Sequence, residues 1–484
     1  MPISTDFERL RYRRTKIVAT LGPASKSPEI VGRLVEAGVD VFRLNMSHGT
    51  HASHRAAYAN VRAAASTLGR SVGVFADLSG PKIRVGRLRD GEVFLADNQR
   101  VVVTVRDVLG EGATIPTQYK SLAADVNSGD RILLADGTLE LAVKSVEGTE
   151  VHCEVIQGGT LRERQGINLP GVDVSAPSLT EKDIEDARFA LDMGVDFLAL
   201  SFVRRGADID ELKTLISEAG SHAGVIAKIE RPEALVNSDE IIEASAAIMI
   251  ARGDLGVELP PEEVPIAQLQ LIKQARQKNK PVIVATQMLE SMTTNSRPTR
   301  AEVADVSGSV QSGVDAVMLS GETAAGEHPV GAVEMMDSVA RHAESYLWSQ
   351  RAFDGLSRRS EERRPIPFGD AVARATALLT RDINVRAIIA LSYTGMSAAT
   401  VSYARPAAPI LAVSPRLSTA RQMNLLWGVL PCSVDETQFG DPVALARELA
   451  TEQQLATPGD FILLVRGFHA ERTLSTPTIS LISV

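Results

Sequence analysis

Short apolar runs alternate with amphipathic segments along the first 350 residues, and this rhythm predicts parallel strands joined by helices. Helix signals lie between the runs, such as the capping-box pair Thr299 and Glu302 and the glycine stop at Gly313. Eight unbroken repeats favour a closed (β/α)8 barrel over an open doubly wound sheet. The predicted strands are KIVATLG (16–22), VDVFRLN (39–45), VGVFADL (72–78), VDFLALSF (195–202), VIAKIE (225–230), AIMIARGD (247–254), PVIVATQM (281–288) and DAVMLSGE (315–322).

The alternation of apolar runs and amphipathic segments stops after the third predicted strand and again after the eighth. Short β runs between Gly- and Asp-rich turns predict a small, mostly β insertion after strand three. A polar, proline-containing stretch at about 340–368 predicts a linker with a helical start, and the apolar runs beyond it predict a smaller open-sheet α/β domain. The predicted limits are 1–79 with 177–350 for the barrel, 80–176 for the insertion and 351–484 for the C-terminal domain.

Composition narrows the class of protein. A chain of 484 residues with 44% hydrophobic and 23% charged residues is typical of a globular protein with several domains. The net charge of −9 argues against nucleic acid as the main partner. No apolar run is long enough to span a membrane, the N-terminus does not resemble a signal peptide, and two isolated cysteines indicate no disulfide framework. We therefore predict a cytoplasmic protein without a membrane partner.

Polar and charged residues gather where the predicted strands end, which is where (β/α)8 barrels carry their active sites. Lys228 and Glu230 are two residues apart, so their side chains share one face of a strand. Glu230 and Asp254 could hold one Mg²⁺ through oxygen ligands, and Arg43 could clamp a phosphate. A structural lysine–carboxylate pair is the alternative. The strand-end set is Thr20, Arg43, Asn45, Ser47, His48, Asp77, Lys228, Glu230, Asp254, Thr286, Ser320 and Glu322.

Seven sequence blocks resemble the signature motifs of the pyruvate kinases, in that family's order. They are RLNMSHGT (43–50), DLSGPKIR (77–84), KIE (228–230), ARGDLGVELP (251–260), ATQMLESM (285–292), RPTRAE (297–302) and MLSGETA (318–324). The resemblance implies a glycolytic homotetramer that transfers phosphoryl from phosphoenolpyruvate to ADP, giving pyruvate and ATP. It also implies that the insertion is a small β-barrel lid and that the C-terminal domain is regulatory. A Mg²⁺-dependent barrel lyase or aldolase acting on a pyruvate enolate is the alternative enzyme, and a catalytically inactive binding protein is the alternative class.

The resemblance also implies a role for each matching residue. Glu230 and Asp254 are expected to bind Mg²⁺ or Mn²⁺, while Lys228 and Arg43 are expected to contact the transferring phosphoryl group. The other implied sets are Gly253, Asp254 and Thr286 for the substrate carboxylate, Thr286, Ser320 and Glu322 for proton delivery, and Asn45, His48 and Arg84 for the nucleotide.

Two positions depart from the commonest family pattern. Many members have glutamate where this chain has Lys82, and they need potassium near the positions that match Asn45, Ser47, Asp77 and Leu78. Because an ammonium is a compact charge of the same sign as K⁺, we expect Lys82 to replace the cation, so that potassium is not required. A solvated turn lysine is the alternative. Gln165 stands where the family usually has a nucleotide-binding lysine, and Arg164 is a candidate replacement.

The segment LSYTGMSAATVSYARP (391–406) places small and hydroxyl residues between a strand and a helix. Such a turn offers backbone N–H groups and a positive helix end to a phosphate, although an ordinary serine-capped loop has the same sequence character. Similar loops in pyruvate kinases bind a phosphorylated effector. We expect Thr394, Gly395 and Ser397 to contact a sugar phosphate or a nucleotide such as AMP.

Overall fold

The computed structural model describes residues 13–350, 368–469, 471 and 473–484. Its eight parallel strands close into a barrel in which each strand pairs with the next along the chain and the eighth pairs with the first. The predicted closed barrel is confirmed, and the open sheet is wrong. The strands are Lys16–Leu21, Val41–Asn45, Gly73–Asp77, Phe197–Leu200, Gly224–Ile229, Ala247–Ala251, Val282–Ala285 and Ala316–Leu319.

Both faces of the barrel strands are buried, which explains why they read as continuous apolar runs. Val18, Phe75 and Met249 fill the interior, whereas the alternate side chains pack against the surrounding helices. The capping box at Thr299 forms as predicted. The helices around the barrel are Pro28–Glu36, His51–Thr67, Glu181–Met193, Gly206–Glu218, Pro232–Val236, Ser238–Ala244, Arg252–Glu258, Val264–Gln277, Arg300–Gln311, Gly321–Ala324 and Pro329–Ser349, with a 3₁₀ turn at Glu290–Thr293.

The insertion after the third barrel strand is a separate β structure with its own apolar core. Six of its strands form one sheet and two form a ribbon. Isolated bridges from Arg84 to Gly166 and from Val85 to Thr117 join the two edges of the six-stranded sheet, so it closes on itself as a small barrel. The strands are Glu92–Leu95, Arg100–Thr104, Thr114–Pro116, Arg131–Leu134, Leu139–Glu147, Glu150–Gln157, Gly159–Arg162 and Ile167–Asn168, with a short helix at Leu122–Asp125.

The C-terminal domain is an open five-stranded sheet covered by helices. Four strands are parallel, and the last pairs antiparallel at one edge. The strands are Ala387–Leu391, Ile410–Ser414, Val429–Ser433, Phe461–Arg466 and Thr478–Ser483. The helices are Phe368–Asp382, Met396–Tyr403, Leu417–Gln422 and Pro442–Glu452, with 3₁₀ turns at Met423–Leu425 and Glu436–Gly440.

The C-terminal domain packs against the base of the barrel. Leu425 joins the apolar cluster inside the barrel, and Arg405 forms a fully buried ion pair with Asp315 at 3.0 Å. Most of the predicted linker lies outside the described residues, and the domain limits 1–79, 80–176, 177–350 and 351–484 stay a prediction. In the ranges that the structure describes, no helix has both the length and the apolar composition needed to cross a membrane.

Candidate active site

Four charged side chains meet at the carboxyl ends of the second, third and fifth barrel strands. The ammonium of Lys228 lies 2.7 Å from Glu230 Oε1 and 3.3 Å from Asp77 Oδ1. Arg43 donates from Nε to Asp77 Oδ2 at 2.6 Å. Lys228, Glu230 and Asp77 are buried, and the Arg43 side chain is 13% exposed. Sequence spacing predicted the group, and the structure adds that Asp77 joins the two cations.

The charges in this cluster determine one another's protonation. Burial favours a neutral amine at Lys228, but the carboxylates of Asp77, Glu230 and Asp254 outweigh it and raise the pKa of Lys228. Burial also opposes ionisation of Asp77, yet Lys228 and Arg43 lower the pKa of Asp77. At Glu230, burial together with the charge of Asp254 outweighs the effect of Lys228, so the pKa of Glu230 is raised.

Two residues after the fourth barrel strand hold the cluster in place. Lys228 donates to Ser201 Oγ at 2.7 Å, and the Ser201 hydroxyl donates to the Leu78 carbonyl at 2.7 Å. The backbone N–H of Phe202 donates to Glu230 Oε2 at 2.7 Å. Sequence reasoning missed both residues. A serine near the end of the predicted strand 195–202 was the available signal for Ser201, whereas a backbone contact leaves no signature in side-chain identity.

The sixth strand leads directly into the helix Arg252–Glu258, whose first turn carries Gly253 and Asp254. The Gly253 N–H donates to Thr286 Oγ1 at 2.8 Å, so the structure brings the predicted carboxylate-binding residues together. Thr286 has φ +69°, and Gln287 follows with φ +56°. Each such non-glycine conformation costs about 1–3 kcal/mol and persists only where the surroundings enforce it.

Ser320 and Glu322 follow the eighth strand and are linked through the backbone. The Ser320 N–H donates to Glu322 Oε2 at 2.7 Å, and the Leu289 N–H donates to Oε1 at 3.1 Å. Burial raises the pKa of Glu322. The Ser320 hydroxyl is buried and has no hydrogen-bond partner among the described residues. Glu322 therefore shapes the turn, while the hydroxyl of Ser320 remains available to a ligand or water.

A cleft of about 410 Å³ separates the barrel from the lid. Asp254 and Phe202 line it, whereas Arg43, Asp77, Lys228 and Glu230 lie behind them and do not. Asn45 does not line the cleft, because its Oδ1 accepts the Ser47 N–H at 3.1 Å and thereby shapes the turn before His48. The other sequence-predicted residues along the cleft are His48, Lys82, Arg84, Arg164 and Gln165.

The residues predicted around a replaced potassium ion are only partly assembled. Ser47 Oγ lies 3.1 Å from Ser79 Oγ, and Leu78 is buried beside Asp77. Lys82 is exposed on the cleft wall, and no ion pair joins it to another described residue. Asp77 is instead occupied by Arg43 and Lys228.

A second cavity of about 410 Å³ lies between the C-terminal domain and the base of the barrel. Thr394 and Gly395 line it together with Phe197 and Pro281 from the barrel. Ser397 is 2% exposed and does not line this cavity; its N–H donates to Ser392 Oγ at 3.2 Å. The structure therefore brings two of the three predicted effector residues to one cavity.

Comparisons with known proteins agree with this arrangement. Residues 12–333 match the family model "Pyruvate kinase, barrel domain", and residues 370–482 match "Pyruvate kinase, alpha/beta domain". The chain is 44% identical to a pyruvate kinase of Mycobacterium intracellulare over 94% of this chain and 95% of that one. It is 46% identical to a pyruvate kinase of Corynebacterium glutamicum over 94% of each. A crystal structure of a pyruvate kinase from Cryptosporidium parvum superposes with a TM-score of 0.91 at 35% identity, covering 98% of this chain and 97% of that one. The chain belongs to the pyruvate kinase family of phosphotransferases.

Proposed function

We propose that this enzyme transfers the phosphoryl group of phosphoenolpyruvate to ADP at the carboxyl ends of the barrel strands, as a step of glycolysis. The observation that carries the proposal is the buried cluster of Arg43, Asp77, Lys228 and Glu230. Asp254, whose charge acts on Lys228 and Glu230, and Phe202, whose N–H donates to Glu230, line the cleft beneath the lid and connect it with the cluster. A dianionic phosphoryl group needs fixed positive charge in a water-poor site. Arg43 and Lys228 supply two fixed cations, which Asp77 and Glu230 balance, so a bound divalent cation would supply the net positive charge.

Glu230 and Asp254 would hold the divalent cation that enzymes of this family use, which we propose to be Mg²⁺ or Mn²⁺. Their carboxylate oxygens are the hard ligands that these ions prefer. The charge of Asp254 raises the pKa of Glu230, so the two groups repel each other and a divalent cation would relieve that repulsion. Such an ion, when bound, neutralises charge on phosphoryl and enolate oxygens.

Lys228 provides the positive charge that meets the transferring phosphoryl group and the enolate oxygen left behind. Its carboxylate neighbours keep it protonated, and Ser201 and Glu230 fix the direction of two of its three N–H donors. Arg43 is anchored by Asp77 and by Thr20 Oγ1, which lies 3.3 Å from Nη1, and its remaining donors would meet the phosphoryl oxygens. In-line transfer to ADP then requires only that both substrates are held in the correct position and orientation relative to each other.

Enolpyruvate must next gain a proton at carbon to become pyruvate. The first turn of the helix that begins at Arg252 offers backbone N–H groups to the substrate carboxylate, beside the Thr286 hydroxyl. The Ser320 hydroxyl has no other partner among the described residues and can orient a water at the enolate carbon, whereas the Thr286 hydroxyl already donates to the Ala285 carbonyl at 2.6 Å. Glu322 holds that turn through two backbone N–H groups.

The nucleotide would occupy the cleft beneath the lid. His48 and Arg84 line the cleft, and Asn45 fixes the turn that precedes His48. Arg84 also donates to the Arg164 carbonyl at 2.9 Å, which ties this wall of the cleft together. Closure of the lid would exclude water, so that the phosphoryl group passes to ADP rather than to hydrolysis.

Three finer proposals complete the account. The Lys82 ammonium replaces potassium when substrates close the cleft, since Lys82 already lies on the cleft wall near His48. A sugar phosphate or AMP acts as effector at Thr394 and Gly395, which line the second cavity, whereas the buried Ser397 does not line it. The enzyme works as a cytoplasmic homotetramer with domain limits 1–79, 80–176, 177–350 and 351–484.

Phosphorus NMR of a reaction mixture tests the proposed activity directly. With phosphoenolpyruvate, ADP and MgCl₂, we expect the phosphoenolpyruvate signal to be replaced by the γ-phosphate signal of ATP. Glu230→Gln, which removes one proposed metal ligand, should slow that conversion by at least about a hundredfold. Release of inorganic phosphate without ATP, or cleavage of a carbon–carbon bond, would favour the lyase or aldolase instead.

A further inference from the structure

Thr286 and Gln287 adopt a backbone conformation that their sequence does not favour. Both have positive φ, at +69° and +56°, and neither is glycine. A β-branched residue in this region is a genuine outlier, because its side chain crowds the backbone. Surrounding contacts must therefore hold the segment, and those contacts identify which residues set the position of the Thr286 hydroxyl.

Two consecutive residues of the neighbouring strand end contact Thr286, one at its carbonyl and one at its hydroxyl oxygen, and the hydroxyl itself donates to the Ala285 carbonyl at 2.6 Å. The guanidinium of Arg252 donates from Nη2 to the Thr286 carbonyl at 2.7 Å. The Gly253 N–H donates to Thr286 Oγ1 at 2.8 Å. The Arg252 contact holds the carbonyl in the orientation that the left-handed conformation imposes, and the Gly253 contact points the hydroxyl towards the first turn of the helix.

Asp305 in turn holds Arg252. Its Oδ1 accepts Arg252 Nη1 at 2.7 Å, while the Arg252 side chain is only 10% exposed. Asp305 lies on the helix Arg300–Gln311 outside the barrel, 53 residues along the chain from Arg252. A guanidinium is planar and rigid, so fixing Nη1 by an ion pair also fixes the direction of Nη2.

We propose that Arg252 and Asp305 are positioning residues, which hold Thr286 in its left-handed conformation and so place its hydroxyl against the carboxylate-binding first turn. The inference rests on the proposed function, since it assigns these residues to the use of phosphoenolpyruvate. Neither residue contacts the reacting atoms. Asp305 acts through Arg252, and Arg252 acts through Thr286.

Asp305→Ala is the first test, because the Asp305 side chain is 35% exposed and its loss leaves the apolar core intact. A misplacement of the Thr286 hydroxyl should lower kcat/KM for phosphoenolpyruvate by about tenfold or more. The KM for ADP and the dissociation constant for Mn²⁺ should stay within about twofold of wild type. Asp192→Ala is the matched control, because Asp192 also pairs with an arginine between two barrel helices, at 2.9 Å from Arg55, and should change nothing.

A double-mutant cycle separates positioning from a general structural role. In a Thr286→Ala background, which has no hydroxyl to place, Asp305→Ala should cause less than about a twofold further loss. Asp305→Glu keeps the carboxylate and should recover much of the activity. Equal losses from Asp305→Ala in both backgrounds, or a parallel loss in KM for ADP, would overturn the inference. A wild-type enzyme with no ADP-dependent pyruvate formation would instead overturn the proposed function.

Discussion

Replacing Lys228 by methionine removes the ammonium at the centre of the buried cluster while keeping an unbranched side chain of similar length. The substitution deletes contacts of 2.7 Å to Glu230, 2.7 Å to Ser201 and 3.3 Å to Asp77. Removing one partner of a buried ion pair typically costs about 3–5 kcal/mol, because the remaining charge stays buried and uncompensated. Losing a donor aimed at developing negative charge costs about a hundredfold to a thousandfold in kcat.

The assay follows pyruvate formation from phosphoenolpyruvate and ADP at saturating Mg²⁺, for Lys228→Met and for a control, Lys278→Met. Lys278 forms an exposed pair with Glu243 at 3.2 Å on the outer helices, so its loss should change kcat by less than about twofold. We expect Lys228→Met to lose at least about a hundredfold in kcat. A folded Lys228→Met enzyme that keeps kcat within tenfold of wild type would refute the role of this cluster.

Metal binding by Lys228→Met provides a second test, and the direction of its expected pH dependence follows from the pKa of Glu230. Burial raises the pKa of Glu230, and Lys228 opposes that rise, so the pKa of Glu230 should rise further in Lys228→Met. Protons then compete with metal for Glu230 at higher pH than in wild type. Mn²⁺ affinity, measured by electron paramagnetic resonance, should therefore begin to fall at a higher pH in the variant than in wild type as pH is lowered. Identical pH dependence in both proteins would contradict the electrostatic account.

Three further substitutions test other parts of the molecule. Lys82→Glu should lose at least about tenfold in potassium-free activity and recover it with KCl, and a wild type that depends absolutely on potassium would exclude the proposed replacement. Thr394→Glu, at an exposed residue that lines the second cavity, should abolish the response of phosphoenolpyruvate kinetics to sugar-phosphate or AMP effectors, whereas an unchanged titration would remove the effector site. Arg405→Met leaves Asp315 buried without its cation, 3.0 Å away in the wild type, and should destabilise the protein by about 3–5 kcal/mol. A thermal unfolding midpoint within a degree of wild type would contradict that last expectation.

The barrel could be predicted because the burial of each strand is visible in the residues of that strand alone. Strands that are buried on both faces must be apolar throughout, and their polar ends mark one rim of the barrel. In the C-terminal sheet the apolar runs 386–392, 409–415 and 461–467 predicted three strands, and two strands escaped prediction for the converse reason. Val429–Ser433 contains Pro431 and is largely half-buried, and Thr478–Ser483 is an antiparallel edge strand that is mostly exposed. Neither segment forms the continuous apolar run that revealed the other three strands.

The sequence predicted which residues belong to the site but not which of them pair with one another. Their positions at predicted strand ends placed Lys228, Glu230 and Asp77 at one rim, yet only the fold shows that Asp77 pairs with Arg43 and Lys228. The hydroxyl of Ser201 takes part because the fourth strand lies beside the fifth. Backbone contacts and partners far apart in the chain leave no pattern in the sequence that could have revealed them.

The most direct measurement follows pyruvate formation from phosphoenolpyruvate and ADP with Mg²⁺, coupled to lactate dehydrogenase, in tetramethylammonium buffer and again with KCl. We predict strong activity in both buffers. Activity only with KCl would preserve the phosphoryl transfer and contradict the role of Lys82. Absence of activity in both, from folded enzyme supplied with sugar-phosphate and AMP effectors, would contradict the assignment of the strand-end cluster as a phosphoryl-transfer site.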